Sequence, residues 1–225
     1  MKLAVLGTGM VGRIIAGKLA ENGHDVALGT RDPEASLARA PAENQTPLKD
    51  WLKANKGVSL MGFADAAAQG EWIICALNGR GTLDGLVDAG AEAIAGKILV
   101  DISNPLDFSH GLPPSLFVSN TDSLAEMIQR LLPAARVVKT LNTVNASVMV
   151  DPASVAEGNH TMFVCGNDSH ARTAVSKFLK SEFGWKDVMD LGDLTAARGM
   201  EASLHLWLKL WGAVGHPRFG IKVAR

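Results

Sequence analysis

Three glycines near the start of the chain have the residue type and spacing that most directly suggest chemistry. They lie in Gly7-Thr8-Gly9-Met10-Val11-Gly12, between a strand-like run (residues 3–6) and an amphipathic helix pattern. In such a turn the first glycine allows a sharp bend, the second lets backbone approach a pyrophosphate, and the third permits close helix packing. The N-terminus of the helix then attracts the phosphates. The pattern predicts a dinucleotide site formed by Gly7, Thr8, Gly9, Met10, Val11 and Gly12.

The end of the second predicted strand indicates which dinucleotide binds. A site for NAD usually has Asp or Glu about 20 residues after the glycines, where it accepts a hydrogen bond from the ribose 2'-hydroxyl. This chain has Gly29-Thr30-Arg31 there. A carboxylate would repel a 2'-phosphate, whereas Arg31 can pair with it and Thr30 can donate its hydroxyl. The residues predict NADP(H). In the alternative, Arg31 is a solvated loop residue and Asp32 takes the NAD role.

More candidate residues follow the predicted parallel strands, because the carboxyl ends of such strands face the ligand crevice. The predicted fourth strand, residues 72–77, is almost wholly apolar, which is typical of a strand covered on both faces. It leads into Asn78-Gly79-Arg80-Gly81. We therefore expect Ala76, Leu77 and Asn78 to line the cofactor site. For Asn78, a role only in a glycine-rich turn is an equal alternative.

The fifth and sixth predicted strands, residues 97–102 and 136–141, lead into two further candidate loops. Residues 106–120, which follow the first of these loops, show no periodicity, and a loop of that length is often a lid or binding loop. The second loop, residues 142–146, is expected at the nicotinamide end of the crevice. The predicted cofactor contacts here are Ser103, Asn142, Thr143 and Ala146, and the predicted substrate contacts are Asn104, Pro105, Val144 and, on the last predicted helix, Trp207.

Alternating strand and helix patterns must position these residues. They predict an α/β fold with a Rossmann-type, doubly wound, mainly parallel sheet, extra C-terminal strands and a small C-terminal helical part. The remaining predicted elements are a polar crossover at 32–57 with a short helix around residues 48–52, strands at 58–63, 160–165 and 188–191, and helices at 64–69, 83–96, 168–183 and 194–211, with one more helix capped by Thr121 or Asp122 and ending at Leu131.

The later part of the chain continues from the earlier part without a linker, so we expect its strands to extend the same sheet. The predicted division is a Rossmann dinucleotide-binding domain, residues 1–150, and a sheet extension with a helical part, residues 151–225, that completes the substrate pocket. One face of the last helix is an apolar stripe, which is expected to be mainly core. The stripe consists of Ala197, Met200, Leu204, Trp207, Leu208 and Trp211.

Composition limits the classes of function. With 22 basic and 23 acidic residues and a formal net charge of -1, the chain offers no electrostatic footprint for nucleic acid or an anionic membrane. No apolar run approaches the ~20 residues of a membrane span, so we expect a cytoplasmic protein with a small-molecule substrate. Cys75 and Cys165 are expected to be buried thiols, and no metal site is expected. The absence of tyrosine excludes the Tyr-Lys pair of short-chain dehydrogenases.

Five blocks together resemble the NADP-dependent oxidoreductase family typified by the deazaflavin-dependent NADP reductases, which is related to the reductase domain of ferric metalloreductases. The resemblance extends over almost the whole chain and implies a homodimer that transfers a hydride between NADPH and a deazaflavin or flavin. The blocks are Gly7-Thr8-Gly9-Met10-Val11-Gly12, Gly29-Thr30-Arg31, Asp101-Ile102-Ser103-Asn104-Pro105-Leu106, Val138-Lys139-Thr140-Leu141-Asn142-Thr143 and Phe219-Gly220-Ile221-Lys222.

The resemblance also implies roles for individual residues. The pyrophosphate would lie on residues 8–11, the 2'-phosphate on residues 30 and 31, and the nicotinamide beside residues 143–146. A second basic residue of the archaeal reductases matches Ala35, which leaves Arg39 as a substitute. Their loop histidine matches Asn142, and their loop proline matches Asn145.

No catalytic side chain is predicted, because both partners of such a reaction carry their own electronics and the protein has only to align the rings and exclude water. One alternative is a non-enzymatic NADP(H) sensor. Another is an NADPH reductase of a ferric or small imine or carbonyl substrate. The long loop at 104–120 and the Trp-rich last helix favour a second ligand pocket, and therefore an enzyme.

Overall fold

An eight-stranded sheet organises the computed structural model of the chain, which describes residues 1–42 and 45–225. The strands are β1 (Lys2–Leu6), β2 (Asp25–Thr30), β3 (Val58–Gly62), β4 (Trp72–Cys75), β5 (Ile98–Asp101), β6 (Leu106–Asp107), β7 (Ser115–Leu116), β8 (Arg136–Thr140), β9 (Thr161–Cys165) and β10 (Asp187–Asp190). The spatial order is β10-β9-β8-β5-β4-β1-β2-β3, and β6 pairs with β7 in a separate small sheet.

Ten α-helices connect or flank these strands within the described residues. They are α1 (Met10–Glu21), α2 (Pro33–Ala38), α3 (Leu48–Ala54), α4 (Phe63–Gln69), α5 (Gly79–Ala89), α6 (Ala91–Ile94), α7 (Leu124–Leu131), α8 (Ala146–Val150), α9 (Ser169–Phe183) and α10 (Ala197–Val214). Short 3-10 turns occupy Pro152–Ser154, Ala156–Gly158 and Leu194–Ala196. Buried apolar side chains fill two clusters, and each contains residues of the large sheet.

The strand order confirms the predicted doubly wound α/β fold. From β1 the chain moves outward through β2 and β3, and it then returns to β4 on the other side of β1. The order therefore reverses between β1 and β4, which is where such sheets open a ligand crevice. The loop that carries the three glycines follows β1 directly.

The later strands extend this same sheet, as predicted. β9 pairs antiparallel with β8, with Lys139 opposite Cys165, and β10 pairs parallel with β9. All the other neighbouring strands of the large sheet are parallel. Cys75 and Cys165 are free and buried, as expected, and burial raises the pKa of each thiol to about 12.

The single helix predicted over residues 83–96 is wrong. Gly90 has a φ of 85°, which separates α5 from α6, and α5 begins earlier, at Gly79. Val87, an apolar residue within the predicted helix, is 60% exposed. The last predicted helix also differs, because a 3-10 turn precedes α10 and α10 continues to Val214.

The connections hold more structure than their polar sequences indicate. The predicted crossover at 32–57 contains α2 as well as α3, and Asp32 caps α2 by accepting a hydrogen bond from the Ala35 N–H. Residues 43 and 44 of that crossover lie outside the described residues. The long loop after β5 contains the β6–β7 pair, in which Leu106 lies opposite Leu116.

The predicted cap of α7 was also wrong. Ser123 is the N-cap, and its Oγ accepts a hydrogen bond from the Glu126 N–H at 3.1 Å. Asp122 instead accepts a hydrogen bond from the Ser123 N–H at 2.9 Å and pairs with Arg130. Within the part of the chain that the structure describes, no helix combines the length and apolar character needed to cross a membrane.

Replacing Ser123 with Ala is expected to lower the free energy of unfolding by about 0.5–2 kcal/mol, because the Glu126 N–H in the first turn of α7 loses its hydrogen-bond acceptor. Urea denaturation followed by circular dichroism measures the difference. Thr121→Ala is the matched control, since Thr121 precedes the cap and is exposed. Equal losses in both variants would contradict the assignment of Ser123 as the cap.

Candidate functional site

The glycine loop has the close contacts that its sequence requires. Gly7 has a φ of 119°, and a Cβ at this position would lie 2.6 Å from the Ala76 carbonyl oxygen. A Cβ at Gly12 would lie 1.9 Å from the carbonyl oxygen of Gly7, so the turn and the start of α1 touch each other. Gly9 faces open space and caps α1 without a side chain. The first N–H groups of α1 therefore remain available for an anion.

A cavity of about 430 Å³, here called the small cavity, lies above this loop. It joins the glycine loop to the end of β2 and to the segment after β4. Its lining residues are Gly7, Thr8, Gly9, Met10, Val11, Thr30, Arg31, Arg39, Phe63, Ala76, Leu77, Asn78 and Gly81. Arg39, which the sequence offered as a substitute for the missing basic residue at Ala35, is among them.

The basic end of the small cavity differs in detail from the sequence prediction. The Arg31 side chain is 69% exposed and pairs with Asp88, with Nε 3.3 Å from Oδ2. The Thr30 hydroxyl is buried and shares a 2.7 Å hydrogen bond with the Ser36 hydroxyl. Asp32, the alternative NAD contact, caps α2 and does not line the cavity.

A second cavity of about 670 Å³, here called the large cavity, adjoins the first. The two cavities share Met10, Val11, Ala76, Leu77 and Asn78. The remaining lining residues come from α5, from the loops after β5 and β8, and from α8 and α10. They are Gly79, Arg80, Ile102, Ser103, Asn104, Leu106, Asp107, Phe108, Ser109, Asn142, Val144, Asn145, Ala146, Met149, Leu204, Trp207 and Trp211.

Most of the predicted site residues line the two cavities. All of them line one or both cavities except Gly12, Thr143 and Pro105. Gly12 packs against the turn, Thr143 is buried, and the Pro105 carbonyl accepts a hydrogen bond from the Phe117 N–H. Asn78 lines both cavities and also caps α5, so its two proposed roles coexist. The binding role of each residue remains a prediction.

The apolar stripe of α10 divides between core and cavity. Ala197, Met200 and Leu204 are buried, as expected of core. Further along the helix, Trp207 and Trp211 lie against each other at a centroid distance of 5.4 Å and line the large cavity. The lower half of the helix is therefore a cavity wall.

The chain's last described segment, residues 216–225, supports that wall. Phe219 stacks on Trp207 at a centroid distance of 5.3 Å and an interplanar angle of 26°. Asp187 holds the segment through ion pairs with Lys222 at 3.0 Å and Arg225 at 2.7 Å. The Thr161 N–H also donates a hydrogen bond to the Ile221 carbonyl at 2.8 Å.

The loop after β5 closes another side of the large cavity. Arg80 pairs with Asp107 at 2.5 Å, and its guanidinium lies 5.1 Å from the ring centroid of Phe117. Phe108 lines the cavity and is 58% exposed. Sequence reasoning identified this loop by its length but assigned no site role to Arg80, Asp107, Phe108 or Phe117.

Sequence reasoning also missed a buried ion cluster formed by Asp101, Lys139 and Glu201. The Lys139 ammonium lies 2.8 Å from Asp101 Oδ2 and 2.9 Å from Glu201 Oε1, and all three side chains are inaccessible or nearly so. Burial alone would lower the pKa of Lys139, but the two carboxylates outweigh burial and raise it. The sequence did contain a signal for this cluster, because each of its three charged residues lies within an otherwise apolar pattern.

Every polar atom of the buried ion cluster has a partner. Lys139 donates its third hydrogen bond to the Ser103 carbonyl at 2.5 Å. Asp101 Oδ1 accepts hydrogen bonds from the Ser103 N–H and hydroxyl, at 2.9 and 2.6 Å. Glu201 accepts hydrogen bonds from the N–H groups of Leu124 and Ala125, at 2.8 and 3.1 Å, at the N-terminus of α7. The cluster thus joins β5, β8, α7 and α10.

The glycine loop, the strand reversal and the paired cavities together define a Rossmann-type nucleotide-dependent oxidoreductase. A family model described as "NADP oxidoreductase coenzyme F420-dependent" matches residues 2–105. The F420-dependent NADP reductase of Methanocaldococcus jannaschii is 30% identical over 214 residues, which cover 93% of this chain and 92% of that protein. The chain belongs to this F420-dependent NADP oxidoreductase family.

Two further relatives show how far the similarity extends. A crystal structure of a candidate F420-dependent NADP reductase from Arthrobacter sp. FB24 superposes with a TM-score of 0.96, at 56% identity over 100% of both chains. The metalloreductase STEAP3 of Rattus norvegicus is 28% identical over 89% of this chain. The chain spans only 36% of the length of STEAP3.

Removing the Asp187 carboxylate is expected to change how stability depends on pH. The Thr161 hydrogen bond and the ion pairs with Lys222 and Arg225 lower the pKa of Asp187 to about 2. Because an unfolded Asp has a pKa of about 3.9, this carboxylate stabilises the folded state above that pH and loses its effect as the pH falls towards 2.

The free energy of unfolding of wild type and Asp187→Asn can therefore be compared by urea denaturation from pH 5 to pH 2. The wild type is expected to be the more stable protein at pH 5, and the difference is expected to shrink as the pH falls. A difference that stays constant over this range would contradict the assignment.

Proposed function

We propose that the protein transfers a hydride between NADPH and the deazaflavin coenzyme F420. The observation that carries this proposal is the rim shared by the small and large cavities. A dinucleotide whose pyrophosphate lies on the glycine loop can extend one end towards Arg31 and Arg39 and the other into the large cavity. A second planar ring in the large cavity would then meet the nicotinamide.

The residues of the small cavity fit NADP. The free N–H groups at the start of α1 suit the pyrophosphate, and Gly9 leaves the space that a phosphate needs. Arg31 and Arg39 supply guanidinium groups for the 2'-phosphate. Thr30 would contribute its hydroxyl only if the hydrogen bond with Ser36 were shared.

The residues of the large cavity fit a flat, largely apolar ring. Aromatic walls favour stacking of such rings, and a dry site favours transfer between two aligned rings. When bound, NADPH supplies the hydride, and the proposed role of this chain is to hold the two rings in contact and to exclude water. We assign the nicotinamide to Ser103, Asn142 and Ala146, and the second ring to Asn104, Val144 and Trp207, all of which line the large cavity. Thr143 and Pro105, which line neither cavity, would act only by positioning these neighbours.

The wider organisation belongs to the same proposal. Residues 1–150 would act as the dinucleotide-binding domain, and residues 151–225 would complete the second pocket. Trp207, which lines the large cavity, and Phe219, which stacks on Trp207, lie in this later part. We also propose that the protein is a cytoplasmic homodimer, by analogy with the family it resembles.

An acceptor panel tests the proposed reaction. Purified protein is mixed with NADPH and offered F420, FMN or a ferric chelate, and each reaction is repeated with NADH while absorbance at the NAD(P)H band is followed. We expect oxidation with F420 and a preference for NADPH. Tight NADPH binding without turnover by any acceptor would favour the sensor alternative.

Ferric reduction is a second candidate because of the similarity to STEAP3, whose name describes a metalloreductase. The described residues contain no group of three or more His, Cys, Asp or Glu side chains that could hold a metal ion. An iron substrate would therefore have to be presented as a chelate. Turnover with the ferric chelate but not with F420 would favour this candidate.

Arg31→Ala is expected to weaken NADPH binding by about 1–3 kcal/mol, the range for a lost charge-assisted hydrogen bond, and to leave NADH binding nearly unchanged. Asp88→Asn is the matched variant, because it removes the carboxylate that pairs with Arg31 in the described structure. It should bind NADPH at least as tightly as wild type. Isothermal titration calorimetry measures all three proteins, and equal losses for NADPH and NADH in Arg31→Ala would refute the 2'-phosphate assignment.

A further inference from the structure

We propose that the buried ion cluster of Asp101, Lys139 and Glu201 acts electrostatically on the cofactor site and favours NADP⁺ over NADPH. This proposal rests on the proposed function, since it requires the nicotinamide to enter the large cavity. It assigns a tuning role to three side chains that touch neither cavity. They are positioning residues and not catalytic ones.

The buried ion cluster carries a net negative charge. Two carboxylates and one ammonium give a formal charge of -1 in a region closed to solvent. The N-terminus of α7, which donates two N–H groups to Glu201, offsets only part of this charge. The thiols of Cys75 and Cys165 stay neutral, because burial raises the pKa of each to about 12.

The cluster lies close to the wall of the large cavity. Asp101 and Lys139 are register partners near the carboxyl ends of β5 and β8, which face the crevice. Ser103, which bonds to both of them, lines the large cavity. The chain reaches Asn142, another lining residue, three positions after Lys139. The cluster therefore lies directly behind the cavity wall on the side assigned to the nicotinamide.

The reaction changes the charge of the nicotinamide ring. When NADPH gives up a hydride, the hydrogen and both electrons leave together and pass to the acceptor, so the neutral nicotinamide ring becomes a cation. A fixed negative charge nearby stabilises that cation relative to the neutral ring. The low dielectric of a buried region makes such an effect stronger than it would be in water.

Burying charged side chains costs free energy. A role limited to holding these elements together therefore does not account well for this cluster. A hydrophobic triad of similar volume can stabilise a fold as well as a buried ion pair does. A cluster with equal numbers of positive and negative groups would also bind these elements together. A hydrophobic triad and a charge-balanced cluster would both be neutral overall. The excess carboxylate of this cluster instead places a net negative charge next to the redox site.

The test compares the affinities of the two oxidation states without any second substrate. Glu201→Gln and Asp101→Asn each bring the formal charge of the cluster to zero, but they break different hydrogen bonds. We expect both to raise the ratio of Kd for NADP⁺ to Kd for NADPH by about 4- to 17-fold, the range that Coulomb's law gives for a unit charge about 10 Å away at an effective dielectric constant of roughly 20 to 40. Isothermal titration calorimetry measures each Kd.

The matched control is Glu126→Gln, which removes a carboxylate from the same α7 region. Glu126 pairs with Arg198 and lines neither cavity. This control should leave the ratio unchanged, even if it lowers thermal stability.

The outcomes separate the two proposals. A loss of affinity in Glu201→Gln and Asp101→Asn that is equal for NADP⁺ and NADPH would show a structural role only and would overturn the inference, while the proposed function would stand. Failure of the wild type to bind either form would overturn the proposed function and the inference with it. If one variant does not fold, the other still decides the sign of the effect.

Discussion

A buried ammonium group permits no unpaired N–H, and this constraint at Lys139 determines how several parts of the molecule meet. Its three hydrogen bonds require acceptors from β5, from the loop after β5 and from α10. Glu201 in turn requires the N-terminus of α7. Because losing one partner would leave a charge unpaired in the core, these elements have little freedom to move relative to each other. The same contacts therefore hold the walls of the large cavity in place.

The fold was largely predictable because its signals are local. The turn at Gly7, the apolar run of β4 and the alternation of strands with helices identify a doubly wound sheet from sequence alone. The errors arose where a single residue outweighed a periodic pattern. Gly90 interrupts a helix whose apolar spacing continues past it, and Ser123 takes the cap from two neighbours of similar chemistry.

The site was less predictable, and the reason differs between its two halves. Except for Arg39, which follows α2, the small cavity is built from short segments after strands, so the positions of its other residues follow from the topology. The large cavity depends on contacts across long separations, such as Arg80 with Asp107 and Trp207 with Phe219. Spacing carries no information about such pairs. The buried ion cluster is a further example, since Glu201 lies 62 residues after Lys139 and their contact exists only in the folded chain.

The position of Phe219 has a consequence for how the molecule is made. Proteins begin to fold from their N-terminal part during synthesis, and residues 1–150 contain the glycine loop and both arginines of the small cavity. Phe219 is synthesised after all ten strands, so its stack on Trp207 cannot form until those strands have been made. The residues of the small cavity are therefore all present in the nascent chain before the stack that supports one wall of the large cavity can be assembled.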